Sequence, residues 1–187
     1  MEPSTALTVN EVVAFSGIDE GRVRKDVEHG LFGSESPPKF DHIAVVYFRV
    51  MAELGMQPGV EDRRKIHRLI EEAFASGRRP TVVKVSPVLE LKLGGVAKDV
   101  GSTLRRFQAW KNKRVSVNSQ ILGGEPAFAD TRLAVRHIGE LVLKGAVDEV
   151  HEDYPYLSHE DILFAKLYTL AYPKRGRPRI RRASNGS

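Results

Sequence analysis

Side chains able to do chemistry are spread thinly along this 187-residue chain. The six histidines, His29, His42, His67, His137, His151 and His159, include no pair spaced four apart and no pattern with acids that would hold a metal. Solvated or core imidazole is the default for all of them. Glu125 and Asp130 flank a glycine-rich turn and have the types of a general acid and base, but neither a nucleophile nor a phosphate-cradling loop accompanies them. Their plainer use is as structural partners for Arg132, whose guanidinium is costly to half-bury alone. With no cysteine there is no disulfide, no cysteine-ligated zinc and no thiol chemistry. The expectation is a protein that is not an enzyme, with no cofactor, no metal and no catalytic residue.

What remains is binding, and the charges say where. The net charge is +5, yet residues 174–182, KRGRPRIRR, hold six of the 29 basic residues and no acid follows Pro173. Residues 1–173 therefore carry 23 bases against 24 acids, a net of −1. An acidic partner should meet the tail first, and the folded part must bind through a local patch. A second group of bases, Arg22, Arg24 and Lys25, falls within one short helical pattern.

The elements that position those bases can be read in order. Thr8 with Glu11 has capping-box spacing for a first helix, and Ser16-Gly17-Ile18 breaks it. Asp19 caps a second helix to about His29, with Val23 and Val27 inward and Arg22, Lys25 and Arg24 outward. Helix, three-residue glycine turn, helix is the helix-turn-helix pattern, although plain helical hairpins share it. Asp19, Glu20, Asp26 and Glu28 lie on the same helix and would repel phosphates if they shared a face with the bases. Leu31-Phe32, the Gly-Ser-Glu-Ser-Pro-Pro stretch, Lys39-Phe40 and a helix from Asp41 to Leu54 resemble the wing and third helix of a MerR-like winged domain, which adds Lys39 to the DNA-binding set.

Another amphipathic helix spans 60–76, with Arg63, Arg64, Lys65 and Arg68 read as a solvated face. Residues 81–85 and 88–93 form a pair of strands, and Val96 to Lys111 a connector helix stepping by three and four. A short strand from Arg114 to Val117 enters the second domain. There Gly123-Gly124-Glu125-Pro126 makes a defined turn before a helix from Val135 to Gly145. A short helix comes next, and then a last helix capped by Ser158 with Asp161. The last helix is apolar around more than half its circumference, so Ile162, Phe164, Leu167 and Tyr168 are expected on an intermolecular face, most simply that of a homodimer. Packing against the first domain is the alternative.

Gly-Gly-Glu-Pro, Thr131-Arg132-Leu133-Ala134-Val135, a helix ending in Lys-Gly, Asp153-Tyr154-Pro155-Tyr156-Leu157-Ser158 and Asp161-Ile162 resemble a small bacterial and archaeal family long catalogued as a domain of unknown function. Many of its members are VapB-like antitoxins encoded beside PIN-like nucleases. The likeness covers roughly residues 113–172. Family members often have Gly-Thr-Arg and Pro-Val where this chain has Asp130-Thr131-Arg132 and Ala134-Val135. The three helices of this part also resemble a helix-turn-helix, but Glu160 and Asp161 stand at the end that would enter a groove, which assigns this part to dimerisation and partner binding.

In the tail, Lys174-Arg175-Gly176-Arg177-Pro178-Arg179 resembles an AT-hook, whose Gly-Arg-Pro core lies in a narrow minor groove. Arg175, Arg177 and Arg179 join the DNA-binding set on that reading. Arg177 and Arg179 also suit a toxin's carboxylate cluster, where an arginine replaces the metal. A solubilising tail is the plain alternative.

The expected fold class is mostly α with minor β: residues 1–112 a winged helix-turn-helix with a strand pair and connector helix, 113–173 a small three-helix domain, and 174–187 a basic disordered tail. The resemblances imply an antitoxin of a type II toxin-antitoxin pair that inhibits a PIN-like ribonuclease toxin and represses its own promoter DNA; a cytoplasmic location is expected because MEPSTALTVN has no basic segment followed by an apolar one. The alternative is a stand-alone MerR-like transcription regulator. No apolar run reaches the ~18 residues needed to span a bilayer, so no membrane partner is expected.

Overall fold

A computed structural model describes residues 6–33, 36–76 and 81–174 of the chain. Within them the protein is mostly helical, with two small antiparallel strand pairs. The Glu11 amide donates to Thr8 Oγ1 (3.3 Å) and the Thr8 amide donates to Glu11 Oε2 (2.9 Å), closing the box that starts α1 (Val9–Ser16). Gly17 ends it at φ +75°, a left-handed angle open to glycine, and Asp19 caps α2 (Glu20–Glu28). Leu7 and Phe40 then exchange backbone hydrogen bonds, of 2.7 and 3.0 Å, bringing the start of α1 beside the start of α3 (His42–Glu53).

α4 (Val60–Ala75) leads to a hairpin of β1 (Val82–Ser86) and β2 (Leu89–Lys92), in which Val83 pairs with Leu91 and a bulge follows Lys84. α5 (Leu93–Arg114) is longer at both ends than the apolar spacing predicts, because Leu93 and Arg114 both find partners in the folded chain. β3 (Val115–Ser116) pairs with β4 (Ala127–Phe128), an association across the glycine turn that local pattern does not foretell. α6 (Val135–Leu143), α7 (Val147–Asp153) and α8 (His159–Ala171) complete the order. No helix among the described residues is long and apolar enough to cross a membrane.

α8 is where the sequence reading needs correction. Ile162, Phe164 and Tyr168, expected on an intermolecular face, are buried inside the chain, and Leu167 packs half-buried against the same core. Their covering comes from both sides. Gly139 of α6 lets the two helices touch: a Cβ there would lie 2.3 Å from the Ala165 carbonyl oxygen and 2.0 Å from Thr169 Oγ1. From the other side, Phe164 meets Phe107 and Trp110 of α5 at centroid distances of 5.6 and 5.7 Å, and Phe107 in turn meets Phe15 of α1 at 5.0 Å. Each such aromatic contact contributes about 1 kcal/mol beyond the area it buries.

This column of rings runs from α1 to α8, so the buried residues form one cluster from Val12 to Tyr168. The expected boundary at residue 112 falls inside the last turns of α5, where the two parts share their packing.

Candidate nucleic-acid interface

The sequence pairs α1 and α2 through a short turn, and the structure holds that turn from within. Ser16 Oγ donates to the Val12 carbonyl (2.7 Å) and accepts from the Ile18 amide (3.2 Å), so the chain reverses over a buried hydroxyl. α2 then presents Arg24, Lys25 and Glu28 outward while Val23 and Asp26 turn inward. Asp26 is fully buried, which removes it from the set of acids that would repel a phosphate.

Burying a lone carboxylate is prohibitive unless it is paired and hydrogen-bonded. Here Arg63 Nε donates to Asp26 Oδ1 at 2.8 Å and Tyr47 Oη donates to Asp26 Oδ2 at 2.9 Å. Arg63 Nη1 also donates to the Pro58 carbonyl at 2.9 Å. Burial raises the Tyr47 hydroxyl well above its ordinary range, with the Asp26 charge and hydrogen bond adding to the rise. The phenol therefore stays a donor. Arg63 was expected on a solvated face, but it is buried, and its place in the stripe with Ile66, His67 and Ile70 is legible as i, i+3, i+4, i+7. The adjacent Arg64 donates from Nη2 to the His29 carbonyl at the end of α2 (2.7 Å). Two successive arginines of α4 thus clamp α2, one from its inner side and one at its C-terminal end.

On the outer side, Arg24 is exposed and bonded to Glu20 one turn earlier, a contact that contributes about 0.3–0.5 kcal/mol. Lys25 is exposed, and Glu28 is the acid of this helix without a partner among the described residues. Arg22 was expected to face outward; it is half-buried beside a hollow lined by Met51, Met56 and Gln57. Lys39 is exposed and lines a separate depression with His67 and Glu71, so the structure does not bring it together with Arg22. His67 is itself nearly buried, and that burial lowers its pKa against the raising influence of Glu71, Asp41 and Asp26. Arg175, Arg177 and Arg179 lie outside the described residues. The tail's first base, Lys174, pairs with Glu125 (3.1 Å). Glu125 is therefore not the partner of Arg132, which is exposed and needs none.

The second part of the chain is held by a residue whose role the sequence shows only in part. Asp161 caps α8 by accepting from the Ser158 amide and hydroxyl, as its spacing predicts. It also accepts from Trp110 Nε1 (2.8 Å) and from Arg114 Nε (2.9 Å) and Nη2 (3.0 Å). Burial pushes its pKa up, but the hydrogen bonds from Arg114, Ser158 and Trp110 together outweigh it and hold the carboxyl at about 2. Glu160 is likewise taken up, by Arg106 at 2.8 Å. These two acids are fasteners between α5 and α8.

Asp130 adopts φ +61°, and Ala134 has φ −65° and ψ 130°. Those are angles natural to glycine and to proline, and aspartate tolerates the first by local hydrogen bonding.

Residues 115–169, from β3 into α8, match the family model described as protein of unknown function (DUF433). No curated protein and no solved structure matches the chain.

Proposed function

We propose that this protein is the antitoxin of a type II toxin-antitoxin pair, binding a PIN-like nuclease and the promoter DNA of its own operon. The observation that carries the DNA-binding half is the disposition of charge on α2. Asp26 is buried against Arg63, Glu20 is engaged by Arg24 and Asp19 caps the helix, so of the four acids Glu28 alone is left to oppose Lys25 on the outer face. On this reading α1, the turn and α2 belong to a MerR-like winged helix-turn-helix, with α2 entering the major groove. The antitoxin half rests on the likeness of the C-terminal part to the VapB-like family.

A second reading, a stand-alone transcription regulator, is favoured by one finding: Ile162, Phe164 and Tyr168, the expected partner-binding face, are used inside the chain. One pair of assays separates them. The purified protein is titrated into RNA cleavage by the nuclease encoded beside it, and into a duplex carrying its own upstream sequence. Inhibition together with specific DNA binding supports the antitoxin, and DNA binding alone supports the regulator. The absence of both overturns the two readings together.

A further inference from the structure

Arg22 is one of two described residues that leave a buried side-chain donor without a hydrogen-bond partner. Its Nε is buried without a hydrogen-bond partner, and no ion pair reaches its guanidinium among the described residues. Arg136 shares the orphan Nε, but its guanidinium lies 5.8 Å over the Tyr168 ring and has that face as a partner. Among the described residues no ring lies over Arg22 in this way. A buried donor left unsatisfied is unfavourable, and a native exception of this kind calls for an acceptor that the described residues do not supply.

The surroundings say what kind. Arg22 lines an open hollow of about 280 Å³ between the start of α2 and the end of α3, with Met51, Met56 and Gln57 on its walls. Gly55, at φ +63°, turns the chain so that Met56 and Gln57 close the far side. Lys25 stands three residues on along α2, a neighbouring cation on the helix surface. Asp19 also lines the hollow, but its Oδ1 accepts from the Arg22 amide as the helix cap. A guanidinium and a side-chain amide at a hollow with sulfur and methylene walls suit an oxyanion.

We infer that this hollow is an oxyanion site, and that it takes a phosphate of the DNA backbone at the edge of the groove entered by α2. The choice of a backbone phosphate rests on the DNA-binding reading above. The oxyanion site itself does not. Arg22 is thereby a positioning contact that fixes the register of α2 and carries no base preference.

The test uses the full chain with Arg22→Met and Asp19→Asn. Methionine keeps an unbranched apolar stem and removes the orphan donor, so Arg22→Met should unfold at the same temperature as the parent or higher in chloride buffer. Replacing chloride by inorganic phosphate at constant ionic strength should raise the parent's unfolding temperature more than the variant's, which leaves general salting effects cancelled. Asp19→Asn retains a good cap and removes the carboxylate that lines the hollow, so it should tighten the phosphate response.

In the DNA arm, Arg22→Met should weaken binding to the upstream duplex and to a shuffled duplex by the same factor, about tenfold, and reduce the log–log salt slope by about one. A destabilised Arg22→Met, or equal phosphate responses in parent and variant, overturns the oxyanion site. A phosphate response lost in Arg22→Met but with unchanged duplex binding overturns the backbone and leaves a free phosphate compound as the source. Weakening confined to the upstream duplex makes Arg22 a base contact and overturns the positioning role. A parent that answers to phosphate yet binds no duplex refutes the DNA-binding reading and its backbone phosphate, while the oxyanion site stands.

Discussion

Arg114, the last residue of α5, and Asp161, in the first turn of α8, meet in a two-point ion pair with nitrogen–oxygen distances of 2.9 and 3.0 Å. The same carboxylate caps α8 and receives the Trp110 indole, so one side chain joins the long helix, the last helix and the aromatic column. The Asp161 hydrogen bond in turn raises the pKa of Arg114.

Asp161→Asn should therefore cost about 3 kcal/mol in urea unfolding, since it keeps the cap but leaves Arg114 without its charge partner. The variant should also lose part of the acid sensitivity of the parent. Asp161 titrates at about 2 when folded, against about 3.9 in an unfolded chain. A depressed carboxylate contributes stability that is complete above the unfolded value and disappears as pH falls through the folded one. Some 2 kcal/mol should thus be lost between roughly pH 4 and pH 2 in the parent and not in Asp161→Asn, read from unfolding curves across that window.

Arg63→Met strands Asp26 as a buried unpaired charge and should destabilise by roughly 3–5 kcal/mol. Asp26→Asn combined with Arg63→Met should cost markedly less than the sum of the two single changes, because the penalty lies in the unpaired ion. A double-mutant cycle by chemical denaturation measures this coupling, and additivity would mean that the pair is not coupled.

Gly139→Ala forces α6 from α8 and should cost roughly 2–3 kcal/mol. Adding Thr169→Ala should not restore stability in thermal or urea unfolding. It removes the hydroxyl at 2.0 Å but leaves the Ala165 carbonyl at 2.3 Å, and backbone cannot rotate away.

Phe164→Glu should abolish folding instead of splitting a dimer, because a buried charge replaces a ring that is 1% exposed. Leu163→Glu, one residue earlier and 47% exposed, should leave the circular dichroism spectrum and melting temperature nearly unchanged. Sedimentation of Leu163→Glu beside the parent then tests whether the outward side of α8 holds two copies together.

Removal of residues 175–187 deletes five arginines while keeping Lys174 on Glu125. If the tail is a minor-groove hook, DNA affinity should fall, most at A·T-rich flanks, with a salt slope reduced by as much as about 4 and nuclease inhibition unchanged. If the arginines enter a carboxylate cluster, inhibition should fall while DNA affinity holds. Both activities measured on one preparation decide between them.

The residue order by itself determined the local structure, because caps, turns and periodicity act within a few residues of chain. Thr8 with Glu11, Asp19 and Ser158 with Asp161 each start a helix where their positions say, and Gly17 stops one. Gly-Gly-Glu-Pro, the Thr131-Arg132-Leu133 run and Asp153-Tyr154-Pro155 were enough to mark the C-terminal likeness. Which charged residues lie inside was decided by tertiary structure. Asp26 and Arg63 are 37 positions apart, and Arg114 and Asp161 are 47 apart, so no local pattern pairs them. The fate of α8 was decided there too: an apolar circumference says that a helix must be covered, but not by what. Only the fold shows α6 touching it at Gly139 and α5 lining it with Phe107 and Trp110, because coverage depends on which distant surfaces reach it first.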